Sequence, residues 1–229
     1  MEYSQEDYEK MFEINEDLKI TSADENAIII DNFYKNYEEL HDYIKSIKKF
    51  IRGMYTTDFD NGRTRLDFHV KSKEKLNNII LNLSHQFWGY NDKIEDDDIL
   101  INSMKLNVKI PAHVQHWPHV DPGTSGIVYL DKISNGGTVL WEVPEGLDEQ
   151  YLEETLSFGR SYFRDVSKLK MVAKIDAVPN RLVILNARKL HGGFIEDKDQ
   201  YLGQERFQQI VFTNRKYTIS PREEFIHEY

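Results

Sequence analysis

His119 and Asp121 are separated only by Val120. In an extended chain side chains alternate between faces, so an imidazole and a carboxylate two residues apart project the same way. Such a pair can hold one side of a divalent cation, and a third ligand must come from elsewhere in the chain. His191, in Leu190-His191-Gly192-Gly193, is the best placed, because it follows the buried-looking run Arg181–Leu185 and small residues beside it leave room. Two imidazoles and one carboxylate with open coordination positions suit Fe(II) chemistry with dioxygen. His113 and His116 are rival ligands. With His119 they fall three apart, the spacing of one helical face, and a three-histidine site would suit zinc and hydrolysis. Pro111, Pro118 and Pro122 argue against a helix there, which makes His113 and His116 loop or strand-surface residues. The plainer alternative for His119-Val120-Asp121 is a solvated turn, since Pro122-Gly123 follows at once.

A second group of residues could bind an anion. Arg206 opens a strand-like run in which Gln208, Ile210 and Phe212 share its face. A guanidinium pointing into a protein interior is costly unless it meets an anion, and a carboxylate held at two points would satisfy it. Tyr129, in Ile127-Val128-Tyr129-Leu130, has a phenol that can share that anion. The alternatives are an edge arginine paired with Glu205 and a tyrosine that only packs the core.

These residues need a scaffold, and the 229-residue chain is long enough for one large domain. It is 40% hydrophobic and 30% charged, ordinary for a globular protein. The formal charge is −10, and Lys45, Lys48, Lys49 and Arg52 read as the solvated face of a helix. Binding to nucleic acid through phosphate neutralisation is therefore disfavoured, as is binding to anionic membranes. No apolar run approaches the roughly 18 residues a membrane helix needs. The acidic N-terminus, MEYSQEDYEKMFEINEDLK, lacks the apolar stretch of a secretory signal, so a cytoplasmic location is expected. Cysteine is absent, which excludes disulfides and thiolate ligands.

The pattern along the chain changes near residue 99. Before it, Ala27–Phe33 reads as a strand and Tyr37–Ile51 as an amphipathic helix. Residues 53–70 read as a loop with a little strand, and a second helix capped by Ser72 runs through about Trp88. Asn91–Asp98 reads as an acidic turn. After it come short strands: Ser103–Ile110, then Ser125–Leu130 and Thr138–Val143, which the turn Ser134-Asn135-Gly136-Gly137 would join as a hairpin. A polar insertion, Leu147–Val166, precedes further strands at Leu169–Ile175, Arg181–Leu185, Gly193–Ile195 and Arg206–Thr213. Two helices leading into about eight strands indicate an α+β fold: a double-stranded β-helix, a jelly-roll barrel, with the helices packed on one sheet.

Taken in order, HVD, GIVYLD, GGTVLWEVPEG, PNRLVILNARKLHGG and ERFQQIVF resemble the 2-oxoglutarate- and Fe(II)-dependent oxygenases, and within them the prolyl-hydroxylase-like group. The resemblance covers roughly residues 27–214 and implies a cupin-like core. It implies one domain over 1–229, with an arm at 1–26, a strand and supporting helices at 27–97, the β-helix at 98–214 and a tail at 215–229. It further implies that His119, Asp121 and His191 hold iron, and that Arg206 and Tyr129 bind the distal carboxylate of 2-oxoglutarate. Many relatives carry Ser or Thr two residues after the arginine; here Gln208 stands there and would donate the same bond. Asn107 and Lys109 are further candidates to line the pocket. Fe(II), 2-oxoglutarate and dioxygen are the implied cofactors, with ascorbate as reductant. The implied reaction hydroxylates a substrate while 2-oxoglutarate is decarboxylated to succinate. Peptidyl proline, another amino-acid side chain, a free amino acid and a small metabolite all remain open as substrates. The competing readings are a non-catalytic barrel that binds metal or carboxylate, and the zinc hydrolase using His113, His116 and His119.

Overall fold

The run Leu182-Val183-Ile184-Leu185 leaves no polar face for water, so the strand it forms must be covered on both sides. In a computed structural model, which describes residues 3–47, 49–55, 59–66, 70–95, 99–106, 114–115, 118–142, 169–197, 199, 205–214 and 224–226, all four of these residues are buried. Among the described residues there are three helices, α1 (Gln5–Met11), α2 (Tyr37–Ser46) and α3 (Lys71–Trp88). Thirteen strands accompany them. The first seven are β1 (Ile20–Ala23), β2 (Ala27–Ile30), β3 (Lys49–Tyr55), β4 (Phe59–Leu66), β5 (Ile99–Leu106), β6 (Val114–Gln115) and β7 (Ser125–Tyr129). The remaining six are β8 (Gly137–Trp141), β9 (Met171–Asp176), β10 (Leu182–Leu185), β11 (His191–Ile195), β12 (Glu205–Phe212) and β13 (Glu224–Ile226). They form two antiparallel sheets, one ordered β1-β2-β10-β7-β12-β5-β4-β3-β13 and one ordered β6-β11-β8-β9.

Alternation along the central strands divides the core. Ile28, Val128, Leu182, Ile184, Phe207 and Val211 join Leu40 and Ile44 of α2 and Leu76 and Ile80 of α3 in one apolar cluster. Ile80 lies so close to Gly126 that any side chain there would collide with it, so glycine lets α3 approach β7. The opposite faces of the same strands contribute Tyr129, Val183 and Leu185 to a second cluster, which also takes Leu140 and Ile175 from the small sheet. The two sheets therefore share an interior. Val139 and Trp141 alternate with Leu140 and pack outward with Val120 and Leu190.

Several expectations change. Ser125–Leu130 and Thr138–Val143 are not a hairpin: β7 pairs with β10 and β12 in the large sheet, whereas β8 pairs with β11 and β9 in the small one. The intervening turn is a crossing between sheets. Asn135 anchors it by accepting from the amides of Glu196 and Asp197, and Gly136 and Gly137 adopt φ of 75° and 150°, conformations that favour glycine. The helix expected to reach Ile51 stops at Ser46, and the expected loop 53–70 is largely strand. Pairing of β3 with β4 and β13, and of β4 with β5, overrides the helical spacing of Ile47 and Ile51. Ser72 does not cap α3. Val70 occupies that position, and the carboxylate of Glu9 in α1 accepts from the Lys71 amide instead. The N-terminal arm contains α1, closed by a capping box between Ser4 and Asp7. The tail supplies β13. Asn107, Lys109, residues 110–113 and the insertion 147–166 lie outside the described residues. Among the described residues no helix is long and apolar enough to cross a membrane.

Candidate metal centre

Small-sheet strand β11 begins at His191, and there His119 and His191 face each other as an isolated antiparallel bridge. They exchange both backbone hydrogen bonds, His119 N–H to His191 O at 2.8 Å and His191 N–H to His119 O at 2.9 Å. This pairing brings the two imidazoles together, with centroids 4.4 Å apart and the rings tilted by 49°. Two residues on, Asp121 shares the face of His119, as extended spacing requires. Its amide donates to the Ala187 carbonyl at 2.8 Å, fixing the carboxylate in place. Asp121 Oδ2 lies 3.8 Å from Nε2 of His119 and 3.8 Å from Nε2 of His191. That separation is too long for a hydrogen bond and leaves room for an ion between the three donors. All three candidate ligand atoms lie within 4.8 Å of one another.

The electrostatics suit a ligand set. His191 Nδ1 sits 2.8 Å from the Lys189 carbonyl, an acceptor only, so Nδ1 carries the proton and the Nε2 lone pair faces Asp121. Burial, and then the neighbouring His119, push the His191 imidazolium down to about 4, against the opposing pull of Asp121 and the Lys189 carbonyl. The neutral ring required of a metal ligand is thus the resting state near neutrality. The side chains of Asp121 and His191 are 8% and 7% exposed and that of His119 27%, so the site opens on the His119 side.

A second set of polar groups occupies the shared interior. Phe207 and Val211 of β12 face the helices, so Arg206 and Gln208 face the other way, toward Tyr129. Gln208 is the strand partner of Tyr129, and the Arg206 guanidinium carbon lies 5.5 Å from the Tyr129 ring centroid. Arg206 is 3% exposed. With its amide oxygen turned to the guanidinium, Gln208 accepts from Nη2 at 3.0 Å and from Nε at 3.1 Å. Among the described residues no carboxylate makes an ion pair with Arg206. Arg206 is buried rather than an exposed edge residue, and its charge acts on the buried carboxyl of Asp131, holding it down against the rise that burial causes. The Tyr129 hydroxyl reaches across to the small sheet and bonds Thr138 Oγ1 at 2.8 Å. Thr138 was not singled out from the sequence. The signal for it was the alternation Thr138-Val139-Leu140, once β8 is known to face β7 rather than extend it. Of the sequence candidates, His119, Asp121 and His191 converge at one point, and Tyr129, Arg206 and Gln208 converge at another. His113 and His116 lie outside the described residues.

Similarity to known structures follows this geometry. The nogalamycin-biosynthesis enzyme SnoN, a non-haem α-ketoglutarate-dependent epimerase, superposes with a TM-score of 0.51 at 12% identity, covering 81% of this chain and 77% of that one. HygX from Streptomyces hygroscopicus, a structure holding nickel and 2-oxoglutarate, superposes with a TM-score of 0.51 at 10% identity, covering 81% of each chain. This chain shares the fold of the 2-oxoglutarate/Fe(II) oxygenases. No family model matches the sequence, and no curated protein matches it. At these identities the likeness lies in the course of the backbone, and the residues must speak for the chemistry.

Proposed function

We propose that the chain is a single-domain Fe(II)- and 2-oxoglutarate-dependent dioxygenase. On this reading the two sheets are the walls of a double-stranded β-helix, and α2 and α3 brace the larger one. The observation that carries the reading is a two-histidine, one-carboxylate cluster, with Asp121 and His191 buried, on the same fold as a buried arginine that makes no ion pair with a described carboxylate. Both HygX, with its bound nickel and 2-oxoglutarate, and the α-ketoglutarate-dependent SnoN support the same pairing of metal and co-substrate.

The donor set fits the metal: two neutral imidazoles and one carboxylate are the ligands of non-haem iron sites. Bound iron supplies the activation of dioxygen, coupled to loss of carbon dioxide from the 2-oxo acid. The protein does the rest. His119, Asp121 and His191 hold the ion on one side and leave the other open. Lys189 keeps the His191 proton on Nδ1, so that Nε2 stays available. Arg206 takes the distal carboxylate, with the Tyr129–Thr138 hydroxyl pair offering one further O–H donor and Gln208 steadying the guanidinium. The dimensions agree. Thr138 is two residues along β8 from Leu140, the strand partner of His191, a step of about 7 Å. A five-carbon dicarboxylate can bridge such a gap. Apolar walls from Leu140, Val183 and Leu185 keep water from the co-substrate.

The substrate is an amino-acid side chain, peptidyl proline or similar, or a small molecule, entering on the exposed His119 side and leaving hydroxylated. Purified protein incubated with Fe(II), ascorbate and 2-oxoglutarate should form succinate even without substrate, and Asp121→Ala should abolish it. Succinate formation by Asp121→Ala equal to that of the wild type would reject the reading, as would its absence in iron-loaded wild type.

A further inference from the structure

Four residues after α3 ends, Asp92 carries a side chain only 2% exposed. Its two oxygens gather five hydrogen bonds. Oδ1 accepts from Arg188 Nη2 at 2.6 Å and from Asn214 Nδ2 at 2.7 Å. Oδ2 accepts from Thr124 Oγ1 at 2.7 Å, Thr213 Oγ1 at 3.0 Å and Arg188 Nη1 at 3.3 Å. Those partners belong to three segments distant in sequence: the residues just after Asp121, the turn just before His191, and the end of β12. Thr124 and Thr213 are tied to each other as well, through Thr124 N–H to Thr213 Oγ1 and Thr213 N–H to Thr124 O.

The turn at 187–189 matters most. Its carbonyl at Ala187 accepts from the Asp121 amide, and its carbonyl at Lys189 accepts from His191 Nδ1. Arg188 lies between them, so neither carbonyl can be set independently of the Arg188 backbone. The Arg188 side chain ends on Asp92 and lies over the Tyr90 ring at 4.0 Å, while the Tyr90 hydroxyl reaches Asn186 at the start of the same turn. We propose that Asp92 is a positioning residue for the metal centre, holding through Arg188 and Thr124 the two segments that bring Asp121 and His191 together. The proposal rests on the metal reading above. A carboxylate is required because a planar guanidinium and two hydroxyls converge on it, and only an acceptor-only group satisfies all of them.

The test uses metal-free, full-length protein titrated with Co(II), following heat and the visible absorption of the bound ion, which reports ligand geometry. Asp92→Asn and Arg188→Gln should each weaken Co(II) binding about tenfold or more, the range for residues that orient ligands from behind, and should change the absorption. Thr124→Ser keeps the hydroxyl and should bind as wild type, whereas Thr124→Val should follow Asp92→Asn. Ile44→Val, in the helix-side core, lowers stability without touching these contacts and should leave Co(II) affinity unchanged. Wild-type affinity and spectrum in Asp92→Asn would overturn the proposal. So would an Ile44→Val effect as large as that of Asp92→Asn, since the loss would then be one of general stability. If Asp92→Asn does not fold, the Thr124→Ser and Thr124→Val pair decides, and equal binding by the two overturns the proposal. Failure of the wild type to bind Co(II) removes the metal reading itself, which distinguishes that outcome from loss of the Asp92 role alone.

Discussion

Replacing Arg206 with methionine separates a structural arginine from one that binds a ligand. The guanidinium is 3% exposed, with Gln208 and the face of Tyr129 around it. Removing a buried charge that lacks an opposite charge in contact is often neutral or stabilising when an apolar group of similar length takes its place. Unliganded Arg206→Met should therefore melt at or above the wild-type temperature. The ligand response should move the other way. In wild type with Mn(II), 2-oxoglutarate at about 100 times its Kd adds about 2.7 kcal/mol. For a chain of this length that raises Tm by roughly 5–10 °C. Losing two charge-assisted hydrogen bonds, at about 1.5 kcal/mol each, weakens binding about 100-fold. At the same concentration the ligand then adds only about 0.4 kcal/mol, a shift of roughly 1 °C. Thermal unfolding of both proteins, with Mn(II) and with or without 2-oxoglutarate, reads all four values. A full ligand shift in Arg206→Met would refute the assignment, and a large fall in unliganded Tm would make Arg206 a structural residue.

Five further substitutions probe other contacts. Asp121→Asn and His191→Gln should each remove the Tm increase that Mn(II) gives the wild type; an unchanged increase would place the ion elsewhere. Burial pushes the Asp131 carboxyl up to about 7, against the Arg206 charge and the Phe207 amide that donates to it. Its folded value lies above the unfolded value of 3.8, so this group favours the native state most at low pH, and that contribution is lost as pH rises from about 4 through 7. Wild type should lose about 2–3 kcal/mol more than Asp131→Asn between pH 5 and 7.5 in urea titrations; parallel losses would contradict this. Gly137 has φ of 150°, and a Cβ there would overlap the Ile175 carbonyl oxygen. Gly137→Ala should cost about 3 kcal/mol or more and lower Tm by roughly 6–12 °C. Gly89→Ala, at φ of 71° with open space around it, should cost only about 1–2 kcal/mol. Equal losses in the two alanine variants would show that the overlap is not what matters.

What could be read in advance follows the range of the forces involved. The His119-Val120-Asp121 spacing needed only the two-residue period of an extended chain, and His191 needed only the end of an apolar run, so both were legible. The turn at Asn135-Gly136-Gly137 carries hairpin chemistry, but the same glycines serve a crossing between sheets. Which partner β8 chooses is decided by β9 and β11, far away in sequence. The apolar spacing of α2 continues through Ile47 and Ile51, yet the helix ends at Ser46 because β3 finds strand partners in β4 and β13. Thr138 became visible only with the facing sheet in place. Asp92 reads from the sequence only as part of an acidic turn, since nothing near it in sequence announces Arg188, Thr124 or Asn214.

The two halves of the site are held by different means, and that difference makes them separable. Arg206, Gln208, Tyr129 and Thr138 lie within strands, and their convergence follows from sheet register, since Gln208 opposes Tyr129 and Thr138 opposes Gly193. A one-residue slip would turn every one of these side chains to the opposite face. His119 and Asp121 lie outside the strands and His191 at the very start of one, so register alone cannot place them. They depend on the His119–His191 bridge, the Ala187 and Lys189 carbonyls and the anchors behind those carbonyls. Substitutions that loosen the 186–190 turn should therefore weaken metal binding while leaving Arg206 and its neighbours in place. Substitutions within β7, β8 or β12 should instead act first on the co-substrate. Metal affinity measured without 2-oxoglutarate, and the 2-oxoglutarate response measured at saturating metal, distinguish these two kinds of damage in any variant that still folds.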